Sequence, residues 1–112
     1  MERIKQRKWT EENRGAQYLY IFARFRAKPG TQNAVEAALH EVVPPTRAEA
    51  GCLGVNTFRS TRDPQLFYLH SKWLDEGAFD YHASLPHTVK FVETVKPLID
   101  HEFDLTRARL ME

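Results

Sequence analysis

A single cysteine, Cys52, stands among the 112 residues. One thiol cannot form an internal disulfide, so the fold must be held by its core, and such usage suits a reducing compartment. No apolar run approaches the ~20 residues of a membrane-spanning helix. The opening stretch, Met1-Glu2-Arg3-Ile4-Lys5-Gln6-Arg7-Lys8, has no apolar segment of the kind a secretory signal carries. A cytoplasmic protein is expected. Neither sign of charge prevails, with 16 Lys and Arg against 15 Asp and Glu, which argues against nucleic acid or an anionic membrane as the main partner. Also missing are a glycine-rich phosphate loop and a serine elbow motif.

What is present is the composition of a small globular protein, 42% hydrophobic and 12% aromatic. The length allows one domain. Residues 1–17 read as an N-terminal arm, mixing five basic residues with Glu2, Glu11 and Glu12 and showing no clean period. Trp9 is its one large aromatic, expected to tuck onto the body or onto a partner subunit. Residues 18–112 form the domain.

From Tyr18 to Ala27 the chain alternates, as a half-buried strand does. Leu19, Ile21, Ala23, Phe25 and Ala27 share one face; Tyr18, Tyr20, Phe22, Arg24 and Arg26 share the other. An open sheet seldom shows three aromatics to water, so the second face should meet a partner or line a pocket. Lys28-Pro29-Gly30 ends the strand, and Thr31 is a suitable N-cap for a helix carrying Val35, Ala38, Leu39 and Val42. Pro44-Pro45 should end or kink that helix. Thr46 to Glu49 has capping-box spacing, so a last turn is expected to restart there. Strands follow at Cys52–Ser60, weakened by Gly54, and at Gln65–Trp73, joined by turn-forming Thr61-Arg62-Asp63-Pro64 into an antiparallel hairpin. Asp75 caps a helix through Ala78, Phe79 and His82, which Ser84-Leu85-Pro86 interrupts. Pro86 starts another helix, whose apolar stripe is Phe91, Val92, Val95, Leu98 and Ile99. Phe103, Leu105 and Ala108 indicate a closing strand. The order strand, helix, strand, strand, helix, strand predicts an α+β fold of the ferredoxin-like, split βαβ type: a four-stranded antiparallel sheet with helices on one face.

Several segments, taken in order, resemble one family. They are Arg24 with Lys28-Pro29-Gly30; Arg47-Ala48-Glu49-Ala50-Gly51-Cys52-Leu53-Gly54; Asp63-Pro64; Trp73; and His82-Ala83-Ser84-Leu85-Pro86-His87. The set is similar to the antibiotic biosynthesis monooxygenase domain, including its quinol-monooxygenase-like members. The resemblance implies a homodimer whose sheets pack into a dimeric α+β barrel, with a small-molecule pocket between sheet and helices in each subunit. It also implies a choice of activities. Some members oxygenate quinols or aromatic polyketides with no metal or flavin, others cleave haem, and one branch isomerises a phosphorylated sugar derivative. Many relatives carry Glu two residues before the strand-ending Trp, where this chain has Ser71. The Asn, Trp and His of the haem-cleaving members correspond here to Ala23, His82 and the stretch around Phe91-Val92, which argues against haem cleavage.

His82 is the candidate catalytic residue, a base titrating near neutrality, with a structural hydrogen bond as its alternative role. Arg24 is a candidate to hold an anionic oxygen or, equally, to pair with a carboxylate across the dimer. Trp73, Phe91 and His87 are candidate substrate contacts, with core or helix-start packing as the plainer alternative. No metal is expected: His82 and His87, five apart on one continuous helix, would diverge by roughly 140°, and no acidic residue lies between them. Cys52 has no cationic neighbour in sequence to make it a nucleophile. The expected activity is a cofactor-independent oxygenase of a quinol-like or polyphenolic molecule. An isomerase of a small phosphorylated dione, or a non-catalytic ligand-binding dimer, are the alternatives.

Overall fold

The computed structural model describes residues 17–111; Trp9 and the rest of the expected arm lie outside them. The elements are β1 (Leu19–Arg26), α1 (Gln32–Arg47), β2 (Cys52–Arg59), β3 (Leu66–Trp73), α2 (Glu76–Ala83), α3 (Pro86–Val95), a 3₁₀ turn (Lys96–Leu98) and β4 (Asp104–Ala108). They form a four-stranded sheet in the order β2-β3-β1-β4. β1 pairs antiparallel with β3 and β4, and β2 with β3, so the whole sheet is antiparallel. This is the ferredoxin-like arrangement.

The alternation in β1 decides which side the helices cover. Leu19, Ile21, Ala23, Phe25 and Ala27 are all buried, because each large apolar side chain sequestered from water contributes about 1.5–3 kcal/mol. Two clusters result. The larger gathers Phe25, Val35, Leu39, Phe67, Phe91 and Val95, with Phe25 meeting Phe91 and Phe103 edge to face at 5.6 and 5.5 Å. The smaller gathers Leu19, Ile21, Trp73 and Phe79. Between the large residues Ile21 and Phe25 of β1 stands only Ala23, and there the two clusters leave a gap.

Helix α1 departs from expectation. It runs through Pro44 and Pro45 to Arg47. Each proline removes the bond to the carbonyl four residues back and crowds that carbonyl, here on His40 and Glu41; both of those residues are exposed, so their carbonyls can turn to water. The last turn is held instead by the Thr46 hydroxyl donating to Val42 O at 2.7 Å. That bond also prevents the expected capping-box restart. Thr31 sits at the N-cap without capping; its hydroxyl is 2.8 Å from Leu98 O. The irregularity anticipated from Gly54 is a register shift between Cys52 and Gly54. Pro97 falls in the 3₁₀ turn rather than inside α3.

Candidate functional site

The gap between the clusters is a cavity of about 190 Å³. Its walls come from the inner sheet face (Ile21, Ala23, Leu69, Ser71, Trp73) and from the helices above it, including Phe79, His82, Thr88 and Phe91. The lining is overwhelmingly apolar, and His82 is its one titratable side chain among the described residues.

Local sequence places His82 there. Asp75 Oδ1 accepts the Ala78 N–H at 2.8 Å and fixes the start of α2, which sets Phe79 and His82 on its buried side. The imidazole packs on Trp73 with ring centroids 4.6 Å apart and on Phe79 at 5.5 Å. Trp73 is held in turn: its Nε1–H donates to Ser71 Oγ at 2.8 Å. Ser71 is thus a buried anchor for the indole.

A carboxylate does reach the site, from Glu49 in the turn between α1 and β2. Its Oε2 lies 2.7 Å from His82 Nδ1 and 2.7 Å from His87 Nε2. Leu85 takes an extended conformation before Pro86, as prolines impose on their predecessor. The resulting break between α2 and α3 cancels the helical divergence and brings the two imidazoles to 5.8 Å. The premise behind the expectation of no metal therefore fails. The two histidines and one carboxylate have ligand atoms within 4.8 Å of one another, a donor set that metals use. Here both rings address the same oxygen at charge-assisted hydrogen-bond distance, and Glu49 Oε1 is buried with no partner among the described residues.

This geometry fixes the chemistry of His82. A carboxylate accepts, so Nδ1 carries the proton and, in the neutral ring, Nε2 keeps its lone pair. Burial lowers the His82 pKa from 6.5, against the pull of the Glu49 hydrogen bond and charge, so the ring is neutral at pH 7. Burial also pushes the Cys52 thiol up, keeping it protonated.

Trp73 and Phe91 line the cavity together with His82. His87 lies in a second groove with Glu41 and Lys90 and meets the site through Glu49 and the His82 ring. Arg24 is not brought to it. It lies on the opposite sheet face and pairs with Asp104, its cross-strand neighbour on β4, at 3.2 Å. Glu49 escaped the sequence reading as a site residue although it stands in the Arg47–Gly54 segment; its contact with His82 is 33 residues long-range.

The family model for antibiotic biosynthesis monooxygenase matches residues 19–94. Putative monooxygenase Rv0793 of Mycobacterium tuberculosis is 29% identical over 86 residues, covering 77% of this chain and 84% of that protein. Its solved structure superposes with a TM-score of 0.80 at 26% identity, over 85% of this chain and 96% of that one. Putative monooxygenase YcnE of Bacillus subtilis is 28% identical over 84% of this chain and 99% of its own. The structure of PA3566 from Pseudomonas aeruginosa gives a TM-score of 0.79 at 29% identity, over 86% and 96%. No helix among the described residues is long and apolar enough to cross a membrane. With the family model spanning most of the chain and the fold shared by these relatives, the chain belongs to the antibiotic biosynthesis monooxygenase family.

Proposed function

We propose that the protein is a cofactor-independent monooxygenase of a small quinol-like or polyphenolic molecule, with His82 as its base and Glu49 as the residue that sets the His82 tautomer. One observation carries the reading: the lone titratable side chain of an apolar cavity is an imidazole backed by a buried carboxylate. Trp73 and Phe91 are the aromatic walls against which a flat ring would lie.

The cavity volume bounds the substrate. A site of about 150 Å³ lined by aliphatic and aromatic groups holds benzene, whereas drug-sized ligands occupy roughly 300–1,000 Å³. At about 190 Å³ a compact aromatic fits. His82 Nε2 takes a hydroxyl proton, and the resulting anion, electron-rich at a ring carbon, forms a carbon–oxygen bond with dioxygen. Loss of the proton on that carbon breaks the oxygen–oxygen bond. A hydroquinone and dioxygen thereby become a hydroxyquinone and water. The imidazolium formed at His82 offsets the developing charge in a low-polarity site, the role that Arg24 is too distant to play. Among the described residues the cavity lining contains no Lys or Arg, so a phosphorylated dione would bury its phosphate uncompensated by them; the oxygenase reading is preferred to the isomerase for that reason.

The outer sheet face supports homodimerisation. Phe22, Phe58 and Tyr68 are exposed there beside Tyr20 and His70, and a second copy would cover them as a symmetric pair.

The test is oxygen uptake with a panel of hydroquinones. The wild type should consume oxygen above the uncatalysed rate, and His82→Ala should lose about 10²–10⁴-fold, the usual contribution of a general base. Equal rates would remove His82 from the mechanism. Product without oxygen consumption would indicate isomerisation, and a ligand-induced rise in Tm without turnover would indicate a binding protein.

A further inference from the structure

We infer that Glu49 and His87 form a proton relay that connects His82 in the cavity with solvent at the α1/α3 groove. The inference rests on the proposed role of His82 as base and adds an exit for the proton that His82 receives.

Three observations align. The three groups are in contact end to end, since one oxygen of Glu49 is 2.7 Å from His82 Nδ1 and 2.7 Å from His87 Nε2. Exposure rises only at the far end: the side chains of His82, Glu49 and His87 are 11%, 8% and 25% exposed. And the far end opens into a groove separate from the cavity, bounded by Glu41 and Pro45 of α1 and by Lys90 and Thr94 of α3. Glu49 and His82 face His87 from the inside. Glu41 and Lys90 share its groove and are paired with each other at 3.1 Å, which leaves Glu49 as the carboxylate bonded to the His87 ring. Two rings meet on one buried oxygen, whose twin has no partner among the described residues, and imidazole and carboxylate can each accept and release a proton.

The steps balance. A substrate proton arriving at His82 Nε2 makes the ring an imidazolium. The transfer runs through the Nδ1–H tautomer of His87, in which His82 alone donates to Glu49: the His82 Nδ1 proton passes to Glu49 Oε2 and from there to the vacant His87 Nε2. His87 Nδ1 then gives its own proton to water. Only N–H and O–H bonds form or break, and one proton has left the cavity. When the departing oxygen later takes the Nε2 proton, the relay runs inward and restores the His82 Nδ1–H.

The measurement needs no substrate. Solvent exchange of the His82 Nδ1 proton is followed by NMR in the wild type, in His87→Ala and in His87→Gln; glutamine keeps a donor for Glu49 but cannot pass a proton on. Exchange should slow at least tenfold in both variants, and added imidazole should restore it saturably in His87→Ala. Wild-type exchange in His87→Gln would overturn the relay and show that protons leave through the cavity. Slowing that imidazole does not restore would overturn it as well. The base assignment stands or falls separately, on oxygen uptake by His82→Ala, so the two failures are distinguishable. Where a hydroquinone turns over, His87→Gln should lower kcat with KM unchanged.

Discussion

Gly51 and Ala78 approach so closely that a β-carbon on Gly51 would lie 2.5 Å from that of Ala78. Gly51 follows Glu49 by two residues, and Ala78 stands on the helix that carries His82, so this contact sets the distance between the carboxylate and its imidazole. Gly51→Ala should therefore force the loop and α2 apart and cost about 1–3 kcal/mol, as overpacking does. Urea unfolding measures the cost. An unchanged midpoint would mean that the loop yields freely.

Glu49→Gln should change the pH profile in a defined direction. Burial holds the His82 pKa below 6.5, and the hydrogen bond and charge of Glu49 pull it upward. Glutamine removes the charge, so the acid limb of kcat/KM should move to lower pH, with a plateau reduced roughly tenfold as part of the ~10²–10⁴ that a base supplies. The same depressed pKa affects stability. Above 6.5 the contribution is complete; as pH falls from there down through the folded value, the unfolded chain binds the proton more readily and stability is lost. Thermal unfolding at pH 7.5 and 5 should show this loss in the wild type and less of it in His82→Gln. A limb that moves to higher pH in Glu49→Gln would contradict the arrangement.

Ala23→Leu should fill the cavity. The position is buried within the lining, and cavity-filling changes commonly stabilise by about 0.5–2 kcal/mol. The expected result is a Tm equal to or above that of the wild type with oxygen uptake abolished. Retained turnover would place the substrate elsewhere.

Phe22→Arg addresses the outer face without touching the core. Analytical ultracentrifugation should find a dimer for the wild type and a monomer for the variant, with an unchanged circular dichroism spectrum. A wild-type monomer at high micromolar concentration would remove the dimer from the proposal.

The fold was legible because its signals are local. The alternation of Leu19 to Ala27, the turn at Asp63-Pro64 and the proline before His87 each act within a few residues, and the β-α-β-β-α-β order follows from them. The site was legible only in part. Of the candidate residues, Trp73, Phe91 and His82 line the cavity, and the same alternation that buries Ala23 already sets Arg24 on the far side of the sheet. The partnership of Glu49 with the two histidines could not be read, because it depends on a long-range contact and on a helix break that resets the phase from which their separation was judged. Pro44 and Pro45 misled for a related reason: a proline's cost depends on which carbonyls it strands, and these belong to exposed residues.

The break at Leu85-Pro86 has a consequence for how such a site can change over time. Were α2 and α3 one straight rod, His82 and His87 would point roughly 140° apart, and no single carboxylate could serve both. The arrangement is thus encoded by the corner between the helices and not by the two histidines alone. Lengthening or shortening this corner by one residue would uncouple the pair while leaving every chemical group in place, so drift in corner length alone could separate members with a paired imidazole site from members without one.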